Sequence, residues 1–139
     1  MLKVKTLSKN ATEPKRATEN AAGYDLSSAK NLIVPAGGTA LVQTDIKMAI
    51  PKGSYGRVIP LINLFLNFSI SIGGGVIDSD YRGNVGVIFT NNSKNDFKIN
   101  VGDKIAYIIF QKIETPPVVV VDVLDRTERN DGGFGSTGI

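Results

Sequence analysis

The chain has 139 residues, 42% of them hydrophobic, a formal net charge of +3, and neither cysteine nor histidine. That length predicts one domain with a real core. The missing residue types exclude a disulfide framework, a thiolate or imidazole metal site, a histidine triad and an imidazole base; a metal must sit on oxygen ligands or arrive on a substrate, and a general base must be Asp or Glu, with Lys and Tyr as weaker candidates.

Residues 1–20 carry five basic residues against two acidic ones, so the rest of the chain balances to zero. A body-wide polyanion surface, and with it a stable nucleic-acid partner, is not expected. Met1–Thr6 alternates Lys with apolar residues and no long apolar stretch follows, which does not suit a signal peptide. The longest apolar stretch, Val58–Ile72, is broken by Pro60, Asn63, Asn67, Ser69 and Ser71, so no membrane span is expected. These features predict an intracellular protein, cytoplasmic or nuclear.

Leu2–Leu7 alternates in part and reads as an opening strand. Ser8–Asn20 is polar loop, and Ala21–Ala29 carries Gly23 and Asp25, which suit a tight turn beside a site. Leu32–Val34 is a short strand stopped by Pro35, and Thr39–Ala49 is a strand with one irregularity. Tyr55–Ile59 is a further strand. Leu61–Phe68 suits either one or two helical turns or an apolar strand, because short apolar runs are not separated by periodicity. Ser69–Ile77 alternates around glycines. Asn84–Thr90 predicts a strand with Val85, Val87 and Phe89 on one face and Gly86 and Ile88 on the other. Phe97–Ile99 and Lys104–Ile113 follow as strands, then Pro116-Pro117 and a β-branched run over Val118–Val123. Short strands, Gly/Pro/Asn turns and almost no helical period predict an all-β sandwich or barrel. The core-building pattern ends near residue 125, which divides the chain into a β domain, 1–125, and a C-terminal arm, 126–139.

The chemistry concentrates in Gly73–Gly83, where three glycines precede Val76, Ile77, Asp78, Ser79, Asp80, Tyr81 and Arg82. Glycines allow a ligand close to main-chain groups and permit positive φ. A carboxylate beside such an arc can hold or deprotonate water, an aromatic offers a flat face, and a guanidinium suits phosphate. A plain Gly-rich hairpin with solvated charges fits the same residues. In the arm, glycines surround Phe134, Ser136 and Thr137 behind Arg129. Main-chain nests and hydroxyls can grip an anion, and an aromatic can lie on a base. The spacing suits neither a Walker loop nor a dinucleotide fingerprint. A tail that contacts nothing fits this composition equally.

Read together, these stretches resemble the homotrimeric deoxyuridine triphosphatases (dUTPases), whose five motifs occur here in order. Ala22–Leu26 matches the first, Gly56–Pro60 leads into the second, Gly75–Gly83 matches the third, Gly102–Ala106 most of the fourth, and Arg129 with Gly133–Gly138 the fifth. The resemblance spans nearly the whole chain. It implies a β-clip or jelly-roll barrel, a homotrimer with a mobile C-terminal arm, and hydrolysis of dUTP to dUMP and pyrophosphate with Mg2+. It implies that Asp78 activates the attacking water, that Tyr81 packs under the deoxyribose and disfavours a 2′-hydroxyl, and that the hairpin backbone around Gly75 reads uracil. Phe134 of another subunit's arm, with Gly135, closes over the base. Arg129, Ser136 and Thr137 hold phosphates, and Arg82 is a further substrate-binding residue. Asp25 organises water and magnesium, the metal binding mainly the triphosphate through water.

The second motif departs from the family pattern: Leu61, Ile62, Asn63 and Asn67 stand where arginine, serine, glycine and lysine are expected, and Tyr107 stands for a glutamine of the fourth. An apolar side chain does not replace the solvation of a phosphate, and losing a charge-assisted contact there costs about 2–5 kcal/mol. This predicts an impaired phosphate grip. It also leaves an alternative, a dUTPase-like protein with weak or no activity that acts through a protein partner at Leu61–Phe68. A third possibility, the related deoxycytidine triphosphate deaminase, needs a catalytic glutamate and an arginine–serine-rich motif that the sequence does not show.

Overall fold

The computed structural model describes residues 1–135, and the regular elements among them are strands but for one short helix. In chain order they are β1 (Lys3–Thr6), β2 (Tyr24–Ser27), β3 (Leu32–Val34), β4 (Thr39–Gln43), β5 (Ile46–Ala49) and β6 (Ser54–Ile59). The helix α1 (Ile62–Phe68) follows, then β7 (Ile70–Gly73), β8 (Val76–Ile77), β9 (Gly86–Asn91), β10 (Phe97–Ile99) and β11 (Lys104–Lys112). The all-β expectation holds. A four-stranded sheet runs β2-β11-β6-β8, a three-stranded sheet runs β4-β9-β7, and the pairs β1-β5 and β10-β3 complete the set, every pairing antiparallel.

The core follows the strand period. Val85, Val87 and Phe89 are fully buried, while Ile88 on the opposite face is exposed. In β11, Ala106 and Ile108 point into the same core as Leu26 and Val58 from the flanking strands. Gly56 lets that packing close: a Cβ there would stand 2.7 Å from Ile108 Cδ1 and 3.0 Å from Ile50 Cδ1. Filling a close-packed interior by one methyl displaces its neighbours.

The expected long strand over Thr39–Ala49 is two strands, because Asp45 takes a left-handed conformation with φ of 55° and breaks the ladder. The ambiguous run Leu61–Phe68 resolves as helix. Leu61 is still extended at ψ of 134°, and Ser69 ends the helix at φ of 56°, its N–H bonding back to Phe65. Only Leu64 of this helix is buried; Ile62, Phe65, Leu66 and Phe68 are exposed. The last described strand ends at Lys112, and Val118–Val121 lie exposed outside any strand of the chain.

Candidate active site

The glycine arc carries the chain from one sheet to the other. β7 pairs with β9 in the three-stranded sheet, whereas β8 pairs with β6 in the four-stranded one. Between them Gly74 and Gly75 adopt φ of 60° and 95°. The Gly75 carbonyl accepts the Val58 N–H at 2.7 Å, and a Cβ at Gly75 would lie 2.7 Å from the Val58 carbonyl oxygen. No L-residue with a side chain fits there without moving β6.

Where the sheets part, the arc opens a cavity of about 420 Å³. Leu41, Val58 and Ile88 give it apolar walls, the glycines give it a main-chain rim, and Asp78, Tyr81 and Asn84 give it polar groups. This is the common form of a small-ligand site, mostly apolar with a few convergent polar groups. Asp78 also borders a second, more polar recess with Lys52, Ser54, Tyr55, Ser79 and Arg82. One carboxylate therefore stands at the boundary between an apolar cleft and a recess of mixed charge, where Lys52 and Arg82 face Asp80 as well.

The loop after Asp78 is held by its own bonds. The Tyr81 N–H donates to the Asp78 carbonyl at 3.1 Å, and Arg82 Nη1 donates to the Ser79 carbonyl at 2.7 Å and to its neighbour's at 3.2 Å. Tyr81, 44% exposed, folds over Gly83, where an added Cβ would overlap the phenol, and its hydroxyl donates to the Asn84 carbonyl at 3.0 Å.

Asp78, Gly75 and Tyr81 thus share one cavity, and Arg82 lies beside Asp78 in the adjoining recess. Asp25 is elsewhere, on β2, with its carboxylate 3.1 Å from Lys104 Nζ across the β2–β11 pair and opposite Tyr107 in register. Arg129 is exposed and donates from Nε to the Gly132 carbonyl at 2.7 Å; Phe134 is fully exposed and Gly135 has φ of 92°. Neither Arg129 nor Phe134 lines the cavity within this chain. Ser136 and Thr137 lie outside the described residues. Asn84 and Gln43, both lining the cavity, were not singled out by sequence. Asn84 follows Gly83 at the head of a strand, which is a weak signal, and Gln43 is an ordinary polar position in β4.

Comparison with known proteins gives the class to which this fold and cavity belong. The dUTPase family model matches residues 9–138. The mitochondrial deoxyuridine 5′-triphosphate nucleotidohydrolase of Dictyostelium discoideum is 56% identical over 137 residues, which cover 99% of this chain and 76% of that protein. The dUTPase of Staphylococcus bacteriophage 80alpha, a point mutant with dUpNHpp, superposes with a TM-score of 0.94 at 28% identity, covering 100% of this chain and 99% of that one. A mutant dUTPase from phage phi11 of S. aureus, whose structure reveals the coordination of a structural Mg(II) ion, superposes with a TM-score of 0.85 at 28% identity over 88% of this chain and 97% of that one. The chain belongs to the dUTPase family.

Proposed function

We propose that this chain hydrolyses dUTP to dUMP and pyrophosphate. The observation that carries the reading is the meeting of Asp78, Tyr81 and a side-chain-free arc in one cavity, in a chain of this family. The arc offers main-chain donors and acceptors to a planar base between apolar walls, and Tyr81 is the flat surface at the sugar. Asp78 accepts a hydrogen bond from the attacking water and takes its proton as that oxygen bonds to phosphorus. The bond between the α and β phosphates breaks, and pyrophosphate leaves.

Among the described residues no three His, Cys, Asp or Glu side chains gather into a metal cage. The carboxylate oxygens of Asp78 and Asp25 suit Mg2+ carried on the triphosphate with its water shell largely retained, as this ion prefers. Asp25, now paired with Lys104, is the carboxylate suited to take a water of that shell. When bound, the ion neutralises phosphate charge and makes the phosphorus more electrophilic.

The working unit is a homotrimer in this reading. Its support is the C-terminal segment, whose described residues 126–135 make no strand in their own chain and leave Phe134 and Arg129 outside the cavity they are suited to close. The phosphate grip is weaker than the family pattern. Ile62 is 73% exposed where a hydroxyl is expected, and α1 carries no charged residue.

The test is pyrophosphate release from dUTP with Mg2+, run beside UTP, dTTP and dCTP, for the native chain and Asp78→Asn. Selective dUTP turnover that falls by about 10²–10⁴-fold in the variant is expected. Equal turnover in both proteins would remove Asp78 from its role, and no turnover by a folded native chain would reject the activity.

A further inference from the structure

The break between β4 and β5 is tied to the loop that carries Tyr81. Asp45 is only 6% exposed and takes a left-handed turn, which Asp adopts more readily than most residues with a side chain. Its backbone N–H donates to Asn84 Oδ1 at 2.9 Å, and its Oδ1 accepts from Asn84 Nδ2 at 2.9 Å. A backbone N–H only donates, so this pair fixes the orientation of the Asn84 amide. The other carboxylate oxygen accepts from Ser8 Oγ at 2.8 Å and lies 3.6 Å from Lys30 Nζ. The flanks are stitched as well: the Val85 N–H donates to the Ile46 carbonyl at 2.8 Å, and Thr44 Oγ1 donates to the Val85 carbonyl at 2.7 Å.

Asn84 therefore faces two ways. Its side chain is clamped to Asp45, and its main-chain carbonyl holds the hydroxyl of Tyr81 at 3.0 Å. The tip of the Tyr81 ring is placed by that carbonyl and by the space over Gly83. A ring that is to exclude one hydroxyl group must be held to a fraction of an ångström.

We propose that Asp45 is a positioning residue for sugar recognition: through Asn84 it fixes the Tyr81 ring and so sets the preference for deoxyribose over ribose. The inference rests on the dUTP reading above. It adds a residue that does not line the cavity and lies 39 positions away from its partner.

The experiment measures affinity for non-hydrolysable imido analogues of dUTP and UTP by calorimetry, so that it reads selectivity whether or not turnover survives. Asp45→Gly removes the acceptor that Asn84 Nδ2 uses and suits the left-handed turn at this position, and Asn84→Asp sets two carboxylates face to face. Each is expected to lower the dUTP/UTP affinity ratio about tenfold. The double swap Asp45→Asn/Asn84→Asp keeps the main-chain N–H of residue 45 donating to the side chain of residue 84 and re-forms the side-chain bond with donor and acceptor exchanged. It is expected to restore the ratio to within about threefold of native. A merely structural role would weaken both nucleotides alike and leave the ratio fixed. Tyr81→Phe, at an exposed position, removes the tether without disturbing the core; it is expected to lose selectivity by itself and to make a further Asp45→Gly change silent. A native ratio in Tyr81→Phe, or in a folded Asp45→Gly, overturns the inference even if the other variants do not fold. A native chain that binds neither analogue, or both equally, overturns the dUTP reading itself and the inference with it, a result distinct from selective native binding that the variants leave unchanged.

Discussion

The Tyr107 ring lies on Gly23, so closely that a Cβ at Gly23 would overlap the ring edge and stand 2.9 Å from the Ile108 carbonyl oxygen. The residue that departs from the fourth motif thus covers the glycine of the first. Gly23→Ala is expected to destabilise the protein by about 1–3 kcal/mol through overpacking, with part of the loss recovered in Gly23→Ala/Tyr107→Ala. Urea unfolding of the three variants measures this. An unchanged midpoint for Gly23→Ala would show that the ring does not press on that face.

Asp45 gives the protein an acid-sensitive bond set. The Ser8 hydroxyl, the Asn84 amide and the Lys30 ammonium hold its carboxyl below the ordinary range, against the opposing effect of burial. A carboxyl depressed in the folded state stabilises fully above its unfolded pKa of about 3.9 and loses that stabilisation as pH falls through the folded value. The stability gap between native protein and Asp45→Asn is therefore expected to be constant from neutral pH to about 5 and to shrink below about 4. A gap that widens on acidification would contradict the bond set.

Restoring the second motif tests what its loss does. Leu61→Arg, Ile62→Ser and Asn63→Gly together are expected to raise kcat/KM for dUTP by about tenfold or more through returned charge-assisted contacts. Glycine within α1 costs about 1 kcal/mol of helix stability, so the gain should appear with a slightly lower Tm. A folded triple variant with native kinetics would show that these positions do not serve the phosphates.

Phe134 stands in solvent in the isolated chain and is proposed to close over the base of a neighbouring subunit. Phe134→Trp places a reporter there. Its emission is expected to change when a non-hydrolysable dUTP analogue saturates the protein, because stacking removes the indole from water. Unchanged emission at saturation would argue against stacking, and sedimentation equilibrium at 14.8 kDa would argue against the trimer that stacking requires.

What the sequence made legible was local. The alternation of Val85, Val87 and Phe89 reads directly as a buried strand face, and so it is. The glycine arc with Asp78 and Tyr81 is contiguous in sequence, so its gathering into one cavity needed no long-range information. Leu61–Phe68 stayed open because eight apolar-rich residues satisfy both periods; the extended Leu61 and the left-handed Ser69 decide it. The break at Asp45 was visible only as an irregularity, since its cause is an asparagine 39 residues on. The passage of β7 and β8 into different sheets, which makes the cavity, is likewise a property of pairing, and pairing partners are not written in either strand.

The rim of the cavity at Gly73–Gly75 is main chain, and this bears on how such a protein can change over generations. Every residue but proline brings the same N–H and C=O, so point mutation short of proline leaves the chemistry of that rim unedited; it only adds a side chain, which at Gly75 meets the Val58 carbonyl at 2.7 Å. The base end of the site is thus held by an all-or-nothing constraint. The second motif, written in side chains at Leu61, Ile62 and Asn63, has no such protection and can drift one residue at a time while the fold stands. A lineage of this architecture would lose its hold on phosphate by degrees long before it forgot which base it recognises.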